Sequence, residues 1–406
     1  MEKIKVGILR EGKVPHDKRV PFTPAQCKFI LEQYPDIELF IQPCEYRCFS
    51  DDEYRAEGLI IKEDLTDCDL LMGIKEVPAK DLIPAKKYVF FSHTIKKQTH
   101  NRKLLQTILE KNIELIDYEC LTDEEHNRVI GFGRFAGVIG AYNAIMAYGK
   151  RYHLFDLKQA FDFKDLHDLE EELDKVKLPN IKIIITGGGR VANGAIETMG
   201  ALKIRKVTPY EFINYSFREP VYVNLHSKDY YKDKDGGPWV VGEFYEHPED
   251  FECTFIRYAP VCDLLIHCSF WDPKAEPLFT KEQMRSPAFH ISVIADVTCD
   301  MNGSIPSTTQ SSTIDNPFYG YDPETEKIGE PFSTNTITIM AVDNLPCELP
   351  RDSSEDFGKN LIERVLSSLF DKDEKGFIQR ATITKDGKLT NRFKYLEDYV
   401  SNPQTV

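Results

Sequence analysis

Short apolar runs and amphipathic stretches alternate along the first third of the chain. IKVGIL, from Ile4, reads as a strand; Thr23 then stands as a helix cap, with Pro24 at the first helical position and Gln26 three residues after the cap, predicting a helix to about Tyr34. Further strands are expected in IELFIQ, LIIKE, DLLMGI, YVFFSH and IELIDYE, separated by a short polar helix over 51–57 and a longer one over 102–111. This is the β/α rhythm of a parallel sheet. Residues 131–149, GFGRFAGVIGAYNAIMAYG, put small and apolar side chains at helical spacing and predict a long, mostly buried helix crossing from one domain into the next. The acidic stretch 156–177 reads as a solvated surface helix or insertion.

The sharpest break in the pattern is IKIIITGGGRVANGA, residues 181–195. Its unbroken apolar run predicts a strand buried on both faces. Gly187, Gly189 and Ala192 follow it in the G-x-G-x-x-G/A spacing, in which the first glycine permits the tight turn, the second lets backbone approach a pyrophosphate and the small third residue allows close helix packing. Arg190 and Val191 lie in the same turn, with the helix opening at about Val191. The second strand of such a domain falls at 204–207, and IRKVTPYEF carries no acid there for ribose hydroxyls. Arg205 or Lys206 is suited to a 2′-phosphate, a slight lean towards NADP; the choice between NAD and NADP stays open. CDLLIHCSFW and ISVIADV are two more buried strands, the second leading to Asp296 and Asp300 near the expected nicotinamide position. Residues 303–336 show little periodicity and read as a connection back to the first domain or a cleft wall. A helix over 356–370 and a polar tail finish the chain.

Polar residues fall where a parallel sheet places its ligands. Arg10, Lys75, His93 and Glu119 each follow an apolar run, at the carboxyl end of an expected strand. Singly, each has a plainer reading: a solvated cation, a histidine satisfied by a carbonyl, a glutamate capping the next helix. Their shared position is what points to a cleft. Lys75 and His93 suit proton transfer, Arg19 and Arg128 suit bidentate carboxylate binding, and Glu76 and Glu119 are placed to hold the lysine and histidine.

Composition narrows the partners. At 406 residues two domains are expected, and a formal charge of −15 argues against nucleic acid. No apolar run reaches the ~18 residues of a membrane span, and MEKIKVGILRE shows no secretory signal, so a cytoplasmic protein acting on a small molecule is expected. Its oligomeric state, homo-oligomer included, stays open. Ten cysteines without a C-x-x-C pair signal no metal site and read as reduced thiols, with a bridge among Cys253, Cys262 and Cys268 left open.

LREGKVPHDKRVPFTP, GIKE, FFSHTIK and the glycine turn together resemble the alanine dehydrogenase and nicotinamide nucleotide transhydrogenase α-subunit superfamily. LIDYECLTDEEHNRVIGFGRFAGVIGA, DGGPWVVGEFYEHPEDF, DVTCDMNGSIPSTTQSSTIDNPF, VDNLPCELPRDSSEDFG and ATITKDGKLTNRFKYLE narrow the likeness to the lysine-forming saccharopine dehydrogenase and lysine–2-oxoglutarate reductase family, over essentially the whole chain. The resemblance implies an α/β fold of two Rossmann-like domains, with parallel sheets flanked by helices and the active-site cleft between them. It implies a substrate domain of residues 1–135 plus 315–406 and a dinucleotide-binding domain of 136–314. The implied reaction interconverts saccharopine and water with lysine and 2-oxoglutarate, passing hydride to or from NAD or NADP through an imine. By motif, Lys75 resembles the base acting on the substrate amine and His93 the group handling water and the carbinolamine. Glu76, Lys96 and Glu119 resemble supporting charges, Arg19 and Arg128 carboxylate binders, and Asp300 the aspartate beside the nicotinamide. Where fungal-type members carry a lysine in the N-terminal loop, this chain has Val14, with Lys13 one position earlier, and Asp17 replaces a glutamate. The alternatives are a dehydrogenase of a simpler amino acid such as alanine, or a nucleotide-binding homologue without catalysis.

Overall fold

The apolar runs of the first third become strands one layer thick between helices. In the computed structural model, which describes residues 3–401, these are β1 (Ile4–Ile8), β2 (Ile37–Ile41), β3 (Ile60–Ile61), β4 (Leu70–Met72), β5 (Lys87–Phe90) and β6 (Glu114–Asp117). Each pairs in parallel with its neighbours in the order β6-β5-β4-β1-β2-β3. The helix Pro24–Gln33 begins at the expected cap: Thr23 accepts from the Gln26 amide, and the Gln26 side chain accepts from the Thr23 amide.

The second unit holds β7 (Lys182–Thr186), β8 (Arg205–Lys206), β9 (Val221–Leu225), β12 (Leu264–His267), β13 (Val293–Asp296), β14 (Phe318–Asp322), β15 (Lys327–Gly329) and β16 (Ile337–Met340) in one sheet, the second of the chain, and β10 (Tyr231–Asp233) with β11 (Phe251–Cys253) as a separate antiparallel pair. The order of the eight-stranded sheet is β15-β14-β16-β13-β12-β7-β9-β8. Two expectations are corrected here. Residues 303–336 are not a bare connection, since β14 and β15 form an antiparallel hairpin that pairs with β16 at the sheet's edge. The strand at 204–207 exists as β8 but is not the neighbour of β7; β9 takes that place in parallel register, Thr186 opposite Leu225.

The chain then returns to the first sheet, where β17 (Thr382–Lys385) runs antiparallel beside β6 and turns at Asp386 and Gly387 into β18 (Lys388–Leu389). Both turn residues have positive φ, 51° and 70°, which suits the Asp-Gly pair of a tight hairpin. The expected polar tail is therefore a sheet edge. Contacts divide the chain into two units, one reaching Phe132 and resuming at Pro350, the other Gly133–Leu349. The return falls at 350 rather than 315 because β14, β15 and β16 extend the second sheet.

Inside the second unit the buried helix Gly133–Arg151 lies against the helix Arg190–Ala201 that follows the glycine turn. The approach is close enough that a Cβ on Gly137 would stand 1.8 Å from the Val191 carbonyl oxygen, and one on Gly194 2.0 Å from the Arg134 carbonyl oxygen. Ala192, expected to permit helix packing on the strand, is buried, while these two glycines set the helix–helix distance. Gly137→Ala is therefore expected to overpack backbone against backbone and destabilise the second unit by about 3 kcal/mol. Calorimetric melting checks this, with a Tm loss of roughly 6–12 °C expected.

Candidate active site

Strand register fixes where the polar residues gather. Ile8, Met72, Val89 and Ile116 are successive cross-strand partners, so β1, β4, β5 and β6 end level and release their loops on one edge of the first sheet. The loop after β4 is held by Glu11, which follows β1: Oε1 accepts from the Ile74 amide at 2.6 Å and Oε2 from the Lys75 amide at 2.8 Å. Burial, with the nearby Asp17 charge, pushes the Glu11 carboxyl up to about 8. The loop after β5 is held in a similar way by buried Asp117 at the end of β6, which accepts from the Ser92 amide at 3.0 Å and from the Ser92 hydroxyl. Glu11 and Asp117 were not singled out from sequence. Glu11 lies in the quoted REGK run, and Asp117 read only as the last residue of a strand.

These clamps aim the functional side chains. His93 adopts a left-handed backbone with φ 53°, and its Nδ1 lies 2.7 Å from Glu76 Oε1. Lys13 completes the group, with Nζ 3.2 Å from Glu76 Oε2. Burial alone would raise the Glu76 carboxyl, but the hydrogen bond and charge of His93, helped by Lys13, hold it down at about 2. The Lys75 pKa is lowered, by burial first and then by the charges of Arg19 and Lys13, against the opposing pull of Asp17 and Glu76. Among the described residues no ion pair or side-chain hydrogen bond holds its amine. Arg19 and Asp17 form a buried bidentate pair, Nε to Oδ1 at 2.9 Å and Nη2 to Oδ2 at 2.6 Å, with the guanidinium 4.1 Å from the centre of the Phe132 ring. Burial pushes Asp17 up, yet the charge and bonds of Arg19 outweigh it and leave its carboxyl well below the usual range. The Arg19 fork thus faces a carboxylate of this chain, a geometry unlike the open binder expected of it.

Glu119 carries a second charged group. Arg128 Nη2 donates to its Oε1 at 2.7 Å and Lys96 Nζ lies 3.7 Å from the same oxygen, while Oε2 is buried with no hydrogen-bond partner among the described residues. Arg10 does not join either group, because its guanidinium forms a bidentate pair with Glu63 at 2.9 and 2.6 Å.

In the second unit Gly187 has φ +100°, and a Cβ there would stand 3.0 Å from the Cys268 carbonyl oxygen, so the turn requires glycine. A Cβ at Gly189 would meet open space. The helix opens at Arg190 with no side-chain cap on its first amides. Asn224 of β9 ties the turn down, donating to the Gly187 carbonyl at 2.8 Å. Two expected cofactor residues are corrected. Arg205 pairs in register with Val221, the first residue of β9, and bonds Glu219 at 2.7 Å, so it stands at the amino end of the sheet, away from the turn. Asp296 is wholly buried and occupied by its own loop, accepting from the Thr298 hydroxyl at 2.6 Å and the Thr308 hydroxyl at 2.6 Å. Asp300 follows in that loop, beyond the carboxyl end of β13. His267, at the end of β12, lies between the Thr186 hydroxyl at 2.8 Å and the Ser304 hydroxyl at 2.7 Å, with burial lowering its pKa. All ten cysteines are unbridged.

Two α/β units with charged residues at strand carboxyl ends and a glycine turn before a helix make up the fold, and the chain shares it with a solved L-alanine dehydrogenase, with TM-score 0.63 and 16% identity over 98% of this chain and 100% of that one. Residues 7–139 match the alanine dehydrogenase/PNT N-terminal domain family. The narrower likeness read from the motifs is borne out by relatives of that name. The mitochondrial alpha-aminoadipic semialdehyde synthase of Mus musculus is 29% identical over 97% of this chain and 47% of its own length. The NAD(+)-dependent, L-lysine-forming saccharopine dehydrogenase of Emericella nidulans is 27% identical over 88% of this chain and 90% of its own. This chain spans about half the length of the first of these curated relatives.

The ion pair at Glu76 gives a pH test. A carboxyl depressed from 4.5 to about 2 contributes stability that is complete above its unfolded value and is lost as pH falls through that window. Urea melts at pH 7, 4 and 3 are expected to show wild type ahead of Glu76→Gln by about 2–3 kcal/mol at pH 7, with the gap closing towards pH 2.

Proposed function

We propose that the chain is an oxidoreductase that interconverts saccharopine, NAD(P)+ and water with L-lysine, 2-oxoglutarate and NAD(P)H. The observation that carries this reading is the Lys75 amine, half-buried and lowered in pKa with no side-chain hydrogen bond, in the charge field of the Glu76–His93 pair. An amine whose pKa is lowered gives up its proton more readily than an exposed lysine, which suits it to proton exchange with a substrate nitrogen. Glu76 orients the His93 ring, and His93 manages the proton of the water that adds or leaves at the substrate carbon. Lys13 balances the Glu76 charge and stands where the fungal-type lysine is shifted by one residue. The unpartnered Glu119 oxygen offers an acceptor to a substrate ammonium, with Arg128 and Lys96 beside it for a carboxylate. The Arg19 charge, opposed by its partner Asp17, adds to burial in lowering the Lys75 pKa.

A nicotinamide dinucleotide fits the second unit, because the Gly187 turn, the open side of Gly189 and the start of the helix after it, whose N-cap glycine supplies no side-chain cap, form a cradle for a pyrophosphate. When bound it supplies or accepts the hydride. The names of the relatives support both the reaction and NAD as a cofactor for proteins of this kind. Asp300 remains the residue proposed nearest the nicotinamide.

Purified protein is expected to oxidise NADH or NADPH only when lysine and 2-oxoglutarate are both present. Turnover with pyruvate and ammonia, without need of lysine, is the outcome that replaces this reading with an alanine dehydrogenase. Lys75→Met is expected to lower kcat by about 10²-fold or more while cofactor binding, followed by fluorescence titration, stays at the wild-type value.

A further inference from the structure

Six acidic side chains are buried among the described residues, and five of them are well supplied with donors. Glu11 accepts two amides, Asp117 accepts two amides and a hydroxyl, and Asp296 accepts from Thr298, Cys299 and Thr308. Asp17 closes on Arg19 and Glu172 on Lys175. The sixth, Glu348, has one bond, in which the Asn143 side-chain amide donates to its Oε1 at 3.1 Å. Its Oε2 and the Asn143 Oδ1 are both buried with no hydrogen-bond partner. What the pair lacks is a donor, and a carboxylate left in that place is a buried charge with no cation to meet it.

The two residues come from the start and the end of the second unit. Asn143 belongs to the buried helix Gly133–Arg151 that opens it, and Glu348 ends the short turn Leu345–Glu348, one residue before the unit closes at Leu349. That turn lies close on the helix, where a Cβ on Gly140 would stand 3.5 Å from the Leu345 side chain. The helix and the segment Ala160–Asp162 pack against the turn, and their other titratable groups are engaged elsewhere or exposed. The Tyr142 hydroxyl donates to the Lys158 carbonyl at 2.7 Å, and Tyr148 packs on Tyr152. Arg134, Lys150 and Arg151 bond Glu197, Asp156 and Thr338, and Asp162 is exposed. Within the turn, Cys347 accepts from the Asn344 side chain. Burial pushes the Glu348 carboxyl up to about 8, opposed by the bond from Asn143 alone.

We propose that Glu348 is an un-ionised acid whose Oε2–H donates to the Asn143 Oδ1, closing a two-bond ring that fastens the end of the second unit to its opening helix for as long as the proton stays. In the ring the amide and the carboxyl each donate once and accept once, so neither oxygen is left bare. Loss of the proton sets a charged oxygen and a carbonyl oxygen against each other in a dry site, and the fastening is released. Glutamine has the same outline with an N–H in place of the O–H, so it stands in for the protonated acid and not for the carboxylate. The proposal needs neither the catalytic reading nor a bound dinucleotide.

Urea melts of the full chain at pH 5, 6, 7 and 8 compare wild type with Glu348→Gln. A carboxyl raised from 4.5 to about 8 contributes stability that is whole below its unfolded value and is lost as pH rises through that window. The variant carries no such loss. Its unfolding constant is expected to lie within a few-fold of wild type at pH 5 and to fall relative to it by up to about tenfold per pH unit from there to pH 8. Infrared spectra of wild type minus variant are expected to show the carbonyl band of a hydrogen-bonded acid at pH 7 and to lose it above pH 9. Amide exchange in peptides covering residues 345–349 is expected to quicken beyond its intrinsic pH dependence between pH 7 and 9 in wild type alone. A ratio of unfolding constants that does not change with pH, a variant that fails to fold, or the absence of an acid band at pH 7 shows that Glu348 carries its charge in the folded chain and overturns the ring. An acid band at the frequency of a free carboxyl overturns it as well.

Discussion

The arrangement of the first unit's strand-end loops depends on a buried carboxyl group bonded to backbone. Glu11 accepts the amides of Ile74 and Lys75 together, which ties the loop after β4 to the loop after β1. Without an acceptor those two amides would be buried donors with no partner, each costing about 1–3 kcal/mol. The same device recurs one strand away, where Asp117 holds Ser92 and accepts the Glu119 amide at 2.7 Å. Both clamps act on main chain, so the side chains of Lys75, Glu76, His93 and Glu119 are left to face outward from the sheet edge.

The charges above the clamps are balanced in pairs, and the pairing sorts the roles. Arg19 is committed to Asp17, Lys13 to Glu76 and Arg10 to Glu63, three neutralisations within one N-terminal loop. Lys75 sits among them without an ion pair. Burial of a lone amine costs most when it is charged, so the surroundings favour its neutral form. The two departures from the fungal-type pattern have a structural meaning in this light. Lys13 reaches Glu76 and Asp17 closes on Arg19, so both departing residues take part in the ion pairs of this loop.

Much of this was legible in the chain. Thr23, Pro24 and Gln26 marked a helix start to the residue, and the apolar runs of the first unit marked six strands. Arg10, Lys75, His93 and Glu119 follow strands, a placement readable from hydrophobic patterning alone, although the pairing of Arg10 with Glu63 was not. Strand order was not legible, because it is settled by pairing between distant segments: the local sequence of Arg205 and Lys206 reads as the strand after the glycine turn, yet β9 displaces it to the edge. Asp296 misled for a related reason, since an acid at a strand end looks alike whether it faces a ligand or its own loop. Residues 318–340 and the tail after 381 were missed although each carries a hairpin, and in the tail the Asp-Gly pair was the available signal.

The pairing of β17 with β6 carries a consequence for how the chain comes to be folded. Thr384 bonds the Leu115 amide across 269 residues of sequence, and the edge of the first sheet stays open until that segment exists. The second unit is continuous from Gly133 to Leu349 and needs nothing made later. On a ribosome, then, the unit that begins second is finished first, while β6 waits with a bare row of amides and carbonyls. A chain halted between the two is the form most exposed to intermolecular strand pairing.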